Sequence, residues 1–435
     1  MNTIATIEQV SEAPHRFLNE DSVYSSMTKR IREVLILAEA QNMLPRVVAY
    51  NRIDGPGSSL DLSNFQESFW QMPPIRANQM HDPCLSWSSN LPRTVGITIN
   101  AGTAVTAHPY YPNQIAAASI DFNSDVCGTS GTVMPSKECW LLKIMDIFHL
   151  NGVKFVLKNT RADTRNAGLG GSATATMAVC LLANELAGRP FSHTQLINLA
   201  SCIEQNCGVS ITGAQEQSNV VFGGVTDYAW FPWGFPRQMH WAGHDSGFGS
   251  SLRTELIPSE EYYALEHRIA IIHTGIEHAS MDVNKIWLEA LLEKKGYKKH
   301  YLKLALAYQF REGLRLRLWD RVADAIDTYR TIRTELCPHY MTGAEVIQNV
   351  AEKFGCVSFP LGAGAGGAAL IFGVEPEQVK SARDELRQKR LFDIPVKIKQ
   401  RGHECFNLEK ITELWNSHDS GVAASQENAL IECAL

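Results

Sequence analysis

Asn166-Ala167-Gly168-Leu169-Gly170-Gly171-Ser172-Ala173 is a glycine-rich turn that runs straight into a helical segment. Behind it Ala175, Met177, Ala178, Val179, Leu181 and Leu182 continue without a breaker to Gly188, and Arg189-Pro190 close the segment. Gly188 suits the left-handed residue that ends a helix, and Pro190 cannot continue one. Glycines let backbone N–H groups approach a ligand closely. A helix start adds unpaired donors and the positive end of a dipole, which together suit a phosphate. The same turn would also serve close packing. It is not a Walker loop, since the chain has no Gly-x-x-x-x-Gly-Lys-Ser/Thr. Without a P-loop lysine, phosphate charge has to be met by the helix end, a metal and side chains from elsewhere.

The bulk numbers fit a soluble globular protein. The 435 residues are enough for two or three domains, with 45% apolar and 20% charged residues. A net charge of −6 argues against a nucleic-acid partner, and the Lys294-Lys295 and Lys298-Lys299 run reads as a solvated helix end. The ten cysteines follow no Cys-x-x-Cys spacing, which argues against structural zinc and for small core residues in a reducing compartment. Met1 to Pro14 is polar, without the apolar core of a signal peptide, and no apolar run is long enough to span a membrane. A cytoplasmic location is expected.

Around the glycine turn the pattern alternates between helix and strand periods. Residues 22–44 read as a helix, and Val47-Val48-Ala49-Tyr50 as a strand leading into the polar turn Arg52-Ile53-Asp54-Gly55-Pro56-Gly57-Ser58-Ser59-Leu60-Asp61. Three strands are expected at Thr94–Ile99, Thr103–Ala107 and Ile115–Ile120, a helix over 137–150, and a strand Val153–Leu157 feeding the glycine turn. Ser192 with Gln195 has the spacing of a capping box, opening a helix that holds Glu204 near its end. The Trp-, Pro- and Gly-rich residues 226–258 read as the region joining two domains. Beyond them come a strand at 269–272, helices over 282–336 and 344–354, and the glycine cluster Gly362-Ala363-Gly364-Ala365-Gly366-Gly367. An apolar strand at 368–372, a helix over 376–389, a strand at 395–398 and a loosely held tail after about residue 416 complete an α+β pattern.

The turn at 52–61, the loop at 168–173 and the cluster at 362–367 resemble, in this order, the three motifs of the GHMP kinases. The resemblance runs from about Arg46 to about Asn407 and is nearest to the heptose-7-phosphate kinase, fucokinase and galactokinase-like branch. Gly213-Ala214-Gln215-Glu216-Gln217 followed by Phe222-Gly223-Gly224 resembles that branch's Gly-Lys-Gln-Asp-Gln and Phe-Gly-Gly. Thr274-Gly275-Ile276 and Leu361-Gly362-Ala363-Gly364 resemble its Tyr-Thr-Gly and Leu-Gly-Ala-Gly.

Such a likeness implies two α+β domains with the active site in the cleft between them. A ribosomal S5 domain 2-like N-terminal half over residues 1–255 would bind ATP, and a ferredoxin-like C-terminal half would cover 256–435. It implies phosphorylation of a small-molecule hydroxyl by ATP with Mg²⁺, at the anomeric position of a sugar or sugar phosphate, by a monomer or homodimer. Gly168, Gly170, Gly171, Ser172, Ala173 and Gly364 would hold the nucleotide, while Ser172 and Glu204 would reach the metal. Glu216 stands where the family has its catalytic aspartate, Arg52 matches the arginine that steadies that base, and Asp61 matches the carboxylate that binds sugar hydroxyls.

Without the family, Glu204 would read as a solvated helix-end carboxylate, Glu216 as surface, and Arg52 with Asp61 as a turn-stabilising ion pair. His273 and His278 could form an acid–base pair, although rim histidines are commoner. The chain departs from the family at three points: Glu216 replaces aspartate, Gly55-Pro56-Gly57-Ser58-Ser59-Leu60 replaces a double glycine and threonine, and Phe359-Pro360 stands where the third motif has lysine. A catalytically inactive nucleotide- and sugar-binding regulator, or a kinase for a non-sugar alcohol such as an amino acid, are the alternatives.

Overall fold

The strand that carries the first motif, β1 (Arg46–Asp54), is buried at every position after Arg46. It lies between two neighbours, which is why its apolar run is unbroken rather than alternating. In a computed structural model of the chain, the described residues are 23–58, 60–62, 92–164, 167–230, 251–276 and 297–416, with Val283, Lys285, Ile286 and Glu289. Asn166, Ser59, His278, the lysines at 294 and 295, and both chain ends lie outside them.

The first sheet is built on β2 (Arg93–Pro109). One edge of β2 pairs antiparallel with β1; the other pairs with β6 (Val225–Trp230) over residues 93–97 and with β5 (Val153–Asn159) over 103–109. Beyond β5 lie β3 (Gln114–Ser119), parallel to it, and β4 (Ser124–Thr129); β7 (Ser251–Ile257) adds to β6, and β12 (His403–Phe406) covers the outer edge of β1. The helices Trp140–Ile147, Gly171–Leu186 and His193–Asn206 share one apolar core with this sheet, formed by residues such as Val47, Val105, Phe155, Met177, Leu182 and Leu199.

The second sheet has the order β11-β8-β10-β9, where β8 is Ile269–His273, β9 Val357–Pro360, β10 Ala368–Phe372 and β11 Phe392–Ile394. With helices between β8 and β9 and between β10 and β11, this is the ferredoxin-like β-α-β-β-α-β arrangement. One face packs the helices Glu345–Lys353 and Pro376–Gln388. The other packs Tyr297–Leu316 and Trp319–Leu336 in a core that also takes in Ile53, Val95, Ile97 and Leu169. That shared core is what fixes the two sheets against each other.

Three expectations are corrected. Thr94–Ile99 and Thr103–Ala107 are one strand, because Asn100-Ala101-Gly102 bulges instead of turning: the register slips between Tyr50 and Arg52, and Asn100 exchanges hydrogen bonds with Lys397. Gly102 permits the close pairing, since a Cβ there would lie 1.9 Å from the Ala49 carbonyl oxygen. The described ends of 226–258 are strands rather than a joint; Tyr228 stacks on Trp230, whose indole N–H donates to Thr94 Oγ1 at 3.0 Å. The expected strand at 395–398 is displaced to Phe392–Ile394, with Ile398 left in an isolated bridge to Ile99. The helices expected over 282–336 are, in the described residues, Tyr297–Leu316 and Trp319–Leu336, which meet at Arg317, whose φ is +60°. The capping box at Ser192 and Gln195 and the left-handed Gly188 stand as expected. Among the described residues no helix is long and apolar enough to cross a membrane.

Ser192→Ala, remote from the cleft, is expected to lower stability by about 1 kcal/mol in urea unfolding and to leave ligand binding unchanged.

Candidate active site

The two glycine motifs meet backbone to backbone. Ala368 N–H donates to the Ala167 carbonyl at 2.9 Å, and a Cβ on Gly362 would lie 2.8 Å from the Gly168 carbonyl oxygen. Gly362 has a φ of +63°, so any other residue would be strained as well as obstructed. The turn after β8 joins this contact, with Thr274 N–H donating to the Gly367 carbonyl and Gly367 N–H to that of Ile276, both at 2.8 Å. Arg333, fully buried, donates from Nη2 to the Gly362 and Ala363 carbonyls at 3.2 Å each.

Beside these loops opens a cavity of about 440 Å³. Arg52, Asp61, Glu204 and Glu216 line it together with Gly168, Gly170, Gly171, Ser172 and Ala173. All the expected site residues but one therefore share one space. The exception is Gly364, which packs against the Tyr340 ring, while Gly362 and Ala363 form the wall instead. The lining also includes the apolar Phe122, Trp140, Leu141 and Leu157.

The helix Gly171–Leu186 begins at this cavity, with Gly170 in the left-handed region at its N-cap and no side chain capping its first turn. Its free N–H groups stand where the sequence reading expects phosphate donors. A Cβ on Gly170 would lie 3.0 Å from Glu216 Cγ and 3.9 Å from Arg52 Cζ, so the loop rests directly on that ion pair.

Arg52 Nη2 donates to Glu216 Oε1, and Nη1 lies 3.4 Å from Asp54 Oδ1. Burial works to lower the arginine's pKa, but the charges of Asp54, Glu216 and Asp61 outweigh it and leave the guanidinium above its ordinary value. Its Nε and Nη1 are buried without a hydrogen-bond partner among the described residues. Such atoms call for a ligand. Arg52 and Asp61 do not form the simple turn pair: Asp61 accepts from Gln215 N–H at 3.0 Å and so holds the start of the helix Gln215–Phe222 that carries Glu216.

Glu204 is fully buried, not a solvated helix end. Its carboxylate accepts from Thr176 Oγ1 at 2.5 Å and from Ser210 Oγ at 2.9 Å. Among the described residues no three His, Cys, Asp or Glu side chains cluster as a self-contained metal site. A Mg²⁺ bound by one carboxylate, a hydroxyl and nucleotide phosphates needs no such cluster. His273 is engaged locally, its Nδ1 accepting from Gly275 N–H at 2.9 Å. Sequence reasoning missed Asp54, Thr176, Ser210 and Arg333. Asp54 stands inside the first motif, whereas the others carry no signal apart from the fold.

Burial, reinforced by the Glu216 charge, pushes Asp61 up to about 7, and the same two causes push Glu204 to about 7. Both folded values lie above the unfolded ones, so the stability these groups contribute is complete at about pH 4 and is lost as pH rises through about 7. The unliganded protein should therefore lose stability between about pH 4 and 7. Asp61→Asn and Glu204→Gln should each flatten that loss in melting experiments across the range; an unchanged slope would contradict the buried-carboxyl assignment.

Residues 139–224 match the family model for the GHMP kinases N terminal domain. No curated protein matches the chain in sequence. Among solved structures, a D-glycero-D-manno-heptose 1-phosphate kinase from Bacteriodes thetaiotaomicron is 16% identical, with a TM-score of 0.59 over 83% of this chain and 99% of that one. Lactococcus lactis galactokinase complexed with galactose is 12% identical, with a TM-score of 0.58 over 88% and 100%. Methanococcus jannaschii mevalonate kinase is also 12% identical, with a TM-score of 0.55 over 81% and 98%. At such identities the likeness establishes the fold, and the family model identifies the segment that holds the glycine loop, Glu204 and Glu216. The chain thus has the fold of the GHMP kinases, and its residues 139–224 match that superfamily's N terminal domain.

Proposed function

We propose that the protein is an ATP- and Mg²⁺-dependent kinase that phosphorylates a hydroxyl of a sugar or sugar phosphate, at the anomeric position. The observation that carries this is the convergence of Glu216, Arg52 and the open helix start at Gly170–Ser172 on one cavity. Phosphoryl transfer asks the protein mainly for positioning and for neutralising charge. The N–H groups of Gly171, Ser172 and Ala173 would receive the phosphates, and the apolar end at Trp140 and Leu157 would take the base.

The unpartnered Nε and Nη1 of Arg52 would meet the phosphoryl oxygens in flight. Glu216, with its side chain 21% exposed and one oxygen held by Arg52, would take the proton of the attacking hydroxyl. Ser172 and Glu204 would hold Mg²⁺, which neutralises phosphate charge when bound. Asp61 stands on the acceptor side, and at about pH 7 it is poised to accept or donate a hydrogen bond from a sugar hydroxyl. Residues 1–255 would form the nucleotide-binding domain and 256–435 the second wall of the cleft, with β12 returning to the first sheet.

ADP release with Mg-ATP, measured across aldoses, deoxy sugars, heptose phosphates and amino-acid alcohols, tests the proposal. Turnover should appear with a sugar or sugar phosphate. Glu216→Ala should lower kcat by about 10²–10⁴-fold, the scale of general-base catalysis, with ATP affinity changed only modestly. Turnover confined to an amino-acid alcohol would replace the acceptor class. Tight nucleotide binding without turnover on any acceptor would favour the inactive regulator.

A further inference from the structure

Asp54 is 1% exposed and belongs to neither the glycine loops nor the base, yet it lies between them. Its Oδ1 accepts the N–H of Gly362 at 3.2 Å and lies 3.4 Å from Nη1 of Arg52. The two partners come from opposite sides of the cleft: Arg52 is on β1 of the first sheet, and Gly362 follows β9 of the second. Arg333 grips the same loop from behind through the Gly362 and Ala363 carbonyls. The Gly362 peptide is thus held at its N–H by an anion and at its C=O by a cation, as charge-assisted hydrogen bonding favours. Arg52 is fixed from the other side by Leu169, whose carbonyl accepts the Arg52 N–H at 3.4 Å.

We propose that Asp54 is a positioning residue that aims the Arg52 guanidinium by tying it to the glycine loop at 361–364. The proposal rests on the kinase function proposed above. When the Gly362 loop is seated, Asp54 is held on the Nη1 side of the guanidinium and Glu216 on the Nη2 side. The planar group is then locked in rotation, with Nε, which has no hydrogen-bond partner among the described residues, left for a phosphoryl oxygen. Motion of the 361–364 loop would release one of the two anchors. The completeness of the cleft is in this way coupled to the aim of its charged group, and Asp54 itself touches no reacting atom.

Asp54→Asn removes the charge while keeping an oxygen for the Gly362 N–H, so the fold should hold; circular dichroism and melting check this. With the best acceptor, kcat should fall about 10- to 100-fold, the scale of an ångström-level misplacement, while the Kd for Mg-ATP stays within about threefold. Arg52→Lys and the double variant complete a cycle. If Asp54 acts through Arg52, adding Asp54→Asn to Arg52→Lys should cost little further, whereas additive losses would assign Asp54 a role apart from Arg52 and overturn the proposal.

Crystal structures of the wild type and of Asp54→Asn give a readout independent of turnover. The guanidinium should turn about its remaining Glu216 contact in the variant, and an unmoved Arg52 would overturn the proposal even if activity fell. A wild type without turnover on any acceptor, but with Arg52 displaced in the variant, would sink the kinase function and leave the positioning role standing.

Discussion

The buried guanidinium of Arg52 is the constraint around which the site is organised. Taking a cation out of water costs several kcal/mol, and the cost is met here by carboxylates on two sides. Removing one partner from such a group typically costs about 3–5 kcal/mol, because the remaining charge is left uncompensated. The site nevertheless holds more anions than cations: Asp61, Glu204 and Glu216 face one another across a cavity in which Arg52 is the arginine. That surplus, together with burial, is why Asp61 and Glu204 retain protons near neutrality. An unliganded cleft of this kind is electrostatically incomplete, and a divalent cation would offset its surplus of carboxylates.

The glycines contribute by what they lack. Gly168 and Gly362 let two main chains touch where side chains would separate them, and Gly170 lets the glycine loop rest on the Arg52–Glu216 pair. Glycine loop, Glu216 and Arg52 therefore form one packed unit instead of three motifs hung on separate elements. The apolar core shared by Ile53, Val95, Leu169, Phe359 and Leu361 lies beneath it and keeps the two sheets in register with the site.

Much of this was legible in the residues. The glycine loop, the capping box and the strand at 368–372 follow from local chemistry, which survives without knowledge of the tertiary fold, whereas the grouping of Arg52, Asp61, Glu204 and Glu216 came from the family resemblance alone. What escaped was set by distant partners. Asp54 accepts from a residue 308 positions away, and no local pattern announces that. Glu204 looks solvated in sequence because the Thr176 and Ser210 hydroxyls that satisfy it lie on other segments. The aromatic residues of β6 suggested a connector because their partners, Thr94 and the β7 backbone, come from strands that only the sheet brings together. Asn100-Ala101-Gly102 has turn composition, yet pairing on both sides carries it through as a bulge.

The covering of β1 by β12 bears on how the chain is made. On the ribosome, residues 46–49 emerge early, but the strand that pairs with their outer edge is at 403–406. Until then one row of backbone donors and acceptors in the first sheet has no mate, the condition in which strands recruit wrong neighbours. The first sheet is thus completed only after every strand of the second has been made. Premature termination anywhere before residue 403 would leave not a smaller working domain but one with an open, aggregation-prone border.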